Sequence, residues 1–336
     1  MTGAGYVGSH TAKALHARGI VPVVFDNLSS GYREAVRWGP FEYGDIRDTA
    51  AVISAIEKHS ISAVIHFAGL IEVGRSVARP DLFWDVNVIG TLRLLEAVKL
   101  TRTPRVVFSS SAAVYGHTDL ARISEAAPKH PASPYGDTKL AGERMIEAQC
   151  AAYGLTGFAL RYFNAAGADT GALIGEAHEP ETHLIPLAIA AALDQSRALT
   201  VFGDDFATPD GTCLRDYVHV NDLAAAHVAA VLAKRPAGSF EALNLGTGVG
   251  HSVREVIAAV QAALGRDISF SRGPRRTGDP PILVADPSLA QQNLGWKAEH
   301  SGLDEIVRDA MRWEAAPAYG VGRRPPRATG LAAVAA

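Results

Sequence analysis

Gly3-Ala4-Gly5-Tyr6-Val7-Gly8, followed by Asp26, is the stretch that decides the fold. Glycines at its first, third and sixth positions allow a tight turn and a close backbone approach, and the residues over 8–18 read as the helix that follows. Free N–H groups at such a helix start favour a pyrophosphate. Asp26 lies 18 residues beyond Gly8, at the end of an apolar run over 20–25. A carboxylate there bonds a ribose 2′-hydroxyl and repels a 2′-phosphate, so the pattern predicts NAD rather than NADP. Read as plain structure, Asp26 and Asn27 merely open the turn Asn27-Leu28-Ser29-Ser30-Gly31.

Outward from this loop, short apolar runs alternate with helical stretches. Strands are expected over 41–43, 63–67, 105–108 and 157–161, with helices over 49–59, 82–100 and 135–153. This alternation predicts an α/β fold with a Rossmann-type doubly wound parallel sheet. Asp26, Asp45, Ala68, Ser111 and Asn164 all fall at the carboxyl ends of expected strands, where such sheets bind ligands. After Asn164 the pattern changes to helices and shorter strands, which predicts a smaller α/β substrate domain. The expected division is 1–164 for the NAD-binding domain, with returning segments near 215–250, and 165–316 for the substrate domain. The Ala-, Gly-, Pro- and Arg-rich stretch 317–336 reads as a loose tail.

The glycine loop should follow a strand, yet only Met1 and Thr2 precede Gly3. The first β-strand is therefore expected to be missing. Removing one large buried apolar side chain costs about 2–5 kcal/mol, against a whole-protein stability of about 5–15 kcal/mol. A late start or a fragment is the expectation.

Composition narrows the function classes. The chain has 336 residues and a formal charge of −3, which gives no reason to expect nucleic acid or an anionic membrane as a partner. No apolar run approaches the roughly 20 residues of a membrane span. The two cysteines, Cys150 and Cys213, are far apart and lack metal-ligand spacing. A reducing, cytoplasmic setting is expected. Tyr135 and Lys139 stand four apart in Ser133-Pro134-Tyr135-Gly136-Asp137-Thr138-Lys139, on one face of a helix. A cation there lowers the phenol pKa from its usual value of about 10, making a general base available. Ser109-Ser110-Ser111 brings a hydroxyl from another segment.

With these residues placed, the chain resembles the nucleotide-sugar 4-epimerases of the extended short-chain dehydrogenase/reductase family. The likeness spans 2–314 and rests on motifs in combination. They include Asp26-Asn27-Leu28, Gly44-Asp45-Ile46-Arg47, His66-Phe67-Ala68-Gly69, Arg161-Tyr162-Phe163-Asn164 and Arg215-Asp216-Tyr217-Val218-His219. The resemblance implies reversible oxidation at C4 of a UDP-hexose through a 4-keto sugar, interconverting UDP-glucose and UDP-galactose with NAD as bound cofactor. It implies that Tyr135 takes the C4 hydroxyl proton, Lys139 tunes Tyr135 and bonds the nicotinamide ribose, and Ser111 positions the hydroxyl. NAD would be lined by Gly3, Gly5, Tyr6, Val7, Gly8, Asp26, Asn27, Asp45, Ile46, Phe67, Ala68, Gly69, Asn87, Ser109, Tyr135, Lys139 and Phe163. The UDP-sugar would be held by Ser111, Tyr135, Asn164, Leu184, Phe202, Arg215, Arg276 and Asp279.

The resemblance also frames the alternatives. Dehydratases of this scaffold carry acids just after the serine, where this chain has Ala112 and Ala113. Leu283 occupies the position that gates the space beside the sugar C2 substituent, so a UDP-N-acetylhexosamine or UDP-pentose is the alternative substrate. A catalytically silent NAD-binding protein is the reading from a different class. His66, His219 and His227 read as core histidines and no metal is expected. Gly246-Thr247-Gly248-Val249-Gly250 reads as a structural turn, and Arg275-Arg276 as a phosphate contact rather than a solvated pair. The helix expected over 82–100 is, in this family, also a homodimer interface.

Overall fold

The computed structural model describes residues 1–276 and 279–320. The first lobe begins with α1 (Tyr6–Ala17), β1 (Val24–Asp26), β2 (Phe41–Tyr43), α2 (Thr49–Lys58) and β3 (Val64–His66). It continues through α3 (Val73–Ala78), α4 (Pro80–Phe83), α5 (Gly90–Leu100), β4 (Arg105–Ser111), α6 (Pro134–Tyr153) and β5 (Thr156–Tyr162). After β6 (Asn164–Ala166) come α7 (Leu184–Leu193), β7 (Leu199–Phe202), β8 (Leu214–Arg215), β9 (Tyr217–His219), α8 (Val220–Leu232) and β10 (Phe240–Leu245). The chain ends through β11 (His251–Ser252), α9 (Val253–Leu264), β12 (Phe270–Gly273), β13 (Ile282–Leu283), α10 (Ser288–Leu294) and α11 (Leu303–Ala315).

The main sheet is parallel throughout, in the order β2-β1, then Thr2, then β3-β4-β5-β10. The position of the first strand is taken by Met1 to Gly3. Thr2 bridges Phe25 on one side and His66 on the other. Its N–H reaches the Ile65 carbonyl at 2.8 Å, and its carbonyl accepts from Phe67 at 2.9 Å and Ala68 at 3.1 Å. The Met1 ammonium donates to the Val23 carbonyl at 2.7 Å. The sheet therefore keeps its order through a stub rather than a strand. An apolar cavity of about 30 Å³ lies beside that stub, against Val23, Val52, Ile56 and Val64.

Alternation along the strands feeds two core layers. Val107 of β4 faces Leu15, Phe158 and the α8 side. Its neighbours Val106 and Phe108 face Val52, Leu94, Leu95 and Ile146 on the other. A third cluster, with Ile185, Ile189, Val256, Val260, Ile306 and Met311, is the core of the second lobe. The lobes interleave, since β10 pairs with β5 and α8 supplies one layer of the first-lobe core.

Three local expectations change. The strand expected over 20–25 is confined to Val24–Asp26, because Pro22 has no N–H to give a ladder. The single helix expected over 82–100 is interrupted by a wide turn at Trp84–Ile89, with i to i+5 bonding. Within the stretch read as a loose tail, Tyr319 is 3% exposed and its hydroxyl bonds the Gly175 backbone. The rest of that stretch, 321–336, lies outside the described residues.

Candidate active site

β4 ends at Ser111, whose hydroxyl accepts the Ala113 N–H at 3.1 Å as the chain turns through Ala112–Val114. α6 starts opposite. Ser133 caps it by accepting the Gly136 N–H at 3.2 Å, and Pro134 takes the first helical position, which suits a residue with fixed φ and no N–H. A Cβ on Gly136 would stand 2.5 Å from the Ala113 carbonyl oxygen. Glycine thus lets the start of α6 press against the turn after β4. That contact brings the Tyr135 phenol to the Ser111 hydroxyl, with which it hydrogen-bonds.

Lys139, one turn further, is buried. Its ammonium donates to the Ser109 carbonyl at 2.8 Å and stands 5.7 Å from the centroid of the Tyr135 ring. Burial pushes the Tyr135 phenol up to about 12, with the Ser111 bond opposing. Burial also lowers Lys139 to about 8, with Glu143 opposing. In the chain by itself desolvation dominates at Tyr135, and the hydrogen bond of the Lys139 ammonium goes to a carbonyl and not to the phenol.

The glycine loop is packed from below and open above. A Cβ on Gly3 (φ +111) would meet Phe67 Cβ at 2.9 Å, and one on Gly8 the Gly3 carbonyl at 2.4 Å, whereas Gly5 faces open space. Gly5 caps α1 without any side-chain bond, so the first N–H groups, from Tyr6 onward, remain available to an anion. Asp26 accepts from the Ala4 N–H at 2.6 Å and the Leu28 N–H at 2.5 Å, one bond per oxygen, leaving lone pairs for a ribose. Asn27 donates to Asp45 at 2.9 Å. The Arg47 guanidinium holds Asp45 down at about 2. Asn87, inside the wide turn, accepts from the Leu70 N–H at 2.8 Å and donates to Thr138 at 3.0 Å. It thereby ties the segment after Gly69 to α6. These residues fit a dinucleotide.

Residues 1–246 match the model of the NAD dependent epimerase/dehydratase family. The chain belongs to this family. It is similar to the UDP-glucose 4-epimerase of Rhizobium leguminosarum bv. trifolii, 49% identical over 314 residues that cover 93% of this chain and 95% of that one. Among solved structures, the UDP-glucose 4-epimerase from Brucella ovis in complex with NAD is 51% identical, with a TM-score of 0.90 over 93% of this chain and 96% of that one. The enzyme of that name from Bifidobacterium longum, in complex with NAD+ and UDP, is 37% identical, with a TM-score of 0.88 and coverage of 93% and 96%. The Rossmann-type fold and NAD dependence read from the motifs agree with these likenesses.

Around the second lobe, this member of the epimerase/dehydratase family presents fewer finished contacts. Asn164 leads β6, and its Oδ1 is buried without a partner among the described residues. Leu184 begins α7. The Arg276 guanidinium lies 4.4 Å from the centroid of Phe202. Arg215 donates to the Pro280 carbonyl at 2.9 Å and stands 3.5 Å from Asp279. Arg275 is engaged elsewhere, with Asp205 at 2.7 Å. Leu283 pairs with Arg215 across β13 and β8 and packs on the cluster that contains Phe163, Leu140 and Ala112.

The remaining histidines sort by their bonds. Thr91 gives its one hydroxyl proton to the Asn87 carbonyl at 2.5 Å, so His66 Nε2–H donates to Thr91 at 2.9 Å and Nδ1 accepts from Thr2 at 2.8 Å. His227 donates from Nδ1 to the Leu223 carbonyl at 2.8 Å and accepts from the Tyr162 hydroxyl at 2.5 Å. Both are neutral core residues. The 246–250 turn is structural: buried Asp216 accepts the N–H groups of Thr247, at 2.8 Å, and Gly248, at 3.0 Å. Sequence reasoning gave Asp216 no such role. It also missed a buried network in which Glu143 holds Arg161 at 2.6 and 2.8 Å and accepts from Ser110 at 2.5 Å, while Arg161 reaches Tyr115 at 2.8 Å. The available signal was Glu143 standing four residues after Lys139 on one helix face.

Proposed function

We propose that this protein interconverts UDP-glucose and UDP-galactose by reversible hydride transfer at C4 through a 4-keto sugar. The observation that carries the reading is the Ser111–Tyr135–Lys139 arrangement at the mouth of the sheet, beside an uncapped glycine-loop helix. When bound, NAD supplies the acceptor for the C4 hydride and returns it, so it is resident and not consumed. Tyr135 takes the C4 hydroxyl proton and gives it back to the other epimer. Ser111 orients that hydroxyl. Lys139 holds positive charge near the phenol, and further positive charge is needed there, since burial alone leaves Tyr135 protonated up to about 12. Ala112 and Ala113 place no acid beside Ser111, which favours epimerisation over elimination.

Gly3, Gly5, Tyr6, Val7 and Gly8 would seat the pyrophosphate. Asp26, Asn27 and Asp45 would serve the adenosine half, and Phe67 to Gly69, Asn87, Ser109 and Phe163 the nicotinamide half. Arg215 and Arg276 would meet the UDP diphosphate as guanidinium forks. Asn164 would donate to or accept from the sugar nucleotide, with Leu184, Phe202 and Asp279 beside it. The protein would act as a cytoplasmic homodimer, since Val77, Trp84, Ile89 and Leu92 are exposed on α3 to α5 and the wide turn between them. No described helix is long and apolar enough to cross a membrane.

The test is a coupled assay on UDP-galactose, UDP-glucose and their N-acetyl forms, with Tyr135→Phe alongside. Interconversion of the first pair, lost by about 10²–10⁴-fold in the variant while NAD is retained, is expected. Turnover confined to the N-acetyl forms would assign the alternative substrate through the Leu283 gate. NAD retention with no turnover and no reduction of the cofactor on adding UDP-sugar would leave only the silent binder.

A further inference from the structure

Between β6 and α7 runs Gly175-Glu176-Ala177-His178-Glu179-Pro180-Glu181-Thr182-His183. Donor atoms of Glu176, His178, Glu181 and His183 all lie within 4.8 Å of one another. We propose that these four side chains bind one divalent transition cation of the zinc class.

The spacing suits such an ion. Four ligands at about 2.0–2.2 Å around a tetrahedral centre stand about 3.4 Å apart. Here His178 Nδ1 is 2.9 Å from Glu176 Oε1 and 4.0 Å from Glu181 Oε2, and His183 Nδ1 is 3.5 Å from Glu181 Oε1. Both imidazoles turn Nδ1 toward the same Glu176 oxygen. Two imidazole nitrogens with two carboxylates form a set that prefers zinc, cobalt, nickel or copper over magnesium or calcium.

The surroundings hold these ligands in place. Trp313 donates to the Glu176 carbonyl at 2.6 Å. Glu181 accepts the N–H groups of Thr182, at 2.7 Å, and His183, at 2.8 Å. The His178 ring meets Tyr6 edge-on at 6.2 Å and His183 at 5.1 Å. Glu176 is nearly buried, with 5% of its side chain exposed, whereas His178 and Glu181 are 22% and His183 44% exposed, which leaves a path for an entering ion. Through Tyr6 the site touches α1, and His183 is the residue from which α7 and Leu184 begin. Cation binding would clamp the cofactor helix to the substrate lobe without joining the chemistry.

The test uses the full chain, stripped with a chelator and titrated with Co2+ and Zn2+. One equivalent per chain with the visible absorption of four-coordinate cobalt is expected. Binding should weaken at least tenfold in His178→Gln and in His183→Gln. Absence of one-equivalent binding, or wild-type affinity in both variants, overturns the proposal. Should a variant fail to fold, X-ray absorption of the zinc-loaded wild type decides. Two imidazoles and oxygen ligands support the site, while sulfur, or fewer than two imidazoles, excludes it.

Discussion

The Asn164 side chain places Oδ1 in the interior with no donor among the described residues. An unpaired buried acceptor costs about 1–3 kcal/mol, so its retention favours a ligand partner. We predict that Asn164→Ala leaves the melting temperature of the substrate-free protein unchanged or higher and raises KM for the UDP-sugar about tenfold. A lower melting temperature with unchanged KM would make Asn164 a structural residue. At this scale the sequence is uneven as a guide. The four-residue spacing of Tyr135 and Lys139 shows that they share a face, which follows from helix geometry. Their ionisation does not follow, because it depends on burial, and burial comes from elements distant in the chain. Lys139 at about 8 and Tyr135 at about 12 are consequences of packing under β4.

The helix α6 carries two functions on adjacent turns. Tyr135 and Lys139 face the site, and Glu143 grips Arg161 of β5 in a buried bidentate pair, with side chains 5% and 3% exposed. Breaking such a pair on one side leaves an uncompensated charge and costs about 3–5 kcal/mol. Glu143→Gln is therefore expected to lower the unfolding free energy obtained from a urea titration by that amount, whereas Glu143→Leu with Arg161→Met recovers most of the loss. A single variant within about 1 kcal/mol of wild type would contradict this. Gly136→Ala should act differently. It forces a Cβ to 2.5 Å from the Ala113 carbonyl, so the helix start moves off Ser111, and turnover falls more than stability. Most helices and strands were legible from period and composition. The wide turn at Trp84–Ile89 was not, since one extra residue per turn leaves the apolar pattern readable as ordinary helix. It turns Asn87 inward to Leu70 and Thr138.

Across the molecule, neutral buried histidines set the response to acid. Burial holds His66 at about 3, with Lys139 and the N-terminal ammonium lowering it further, and holds His227 at about 4 despite its Leu223 bond. Both lie below the ordinary 6.5, so the unfolded chain takes up protons first as pH falls. Stability is full above about 6.5 and declines below it, by about 3 kcal/mol for each histidine by pH 4. Thermal melts from pH 7 to 4 should show a steady fall, and replacing His227 with Gln should make it shallower. A flat wild-type profile would show that these histidines do not govern acid unfolding. The parallel sheet and its ligand-bearing edge were legible because Asp26, Asp45, Ser111 and Asn164 each close or follow an apolar run. The fate of the first strand was not, because the backbone bonds of Thr2 to both neighbours carry no sequence signature.

Asp216 joins distant parts of the chain at one point. Its carboxylate accepts from Thr247, Gly248 and Ala285, its N–H reaches the Leu283 carbonyl at 3.2 Å, and its carbonyl accepts from Asn164 at 2.9 Å. A gene cut after Leu245 would separate Asp216 from Thr247, Gly248 and Ala285, so the two polypeptides should each stay insoluble and regain structure only when co-expressed. Homologous recombination within the family would meet the same constraint: crossovers that swap one lobe succeed only when the segments meeting at this carboxylate are inherited together.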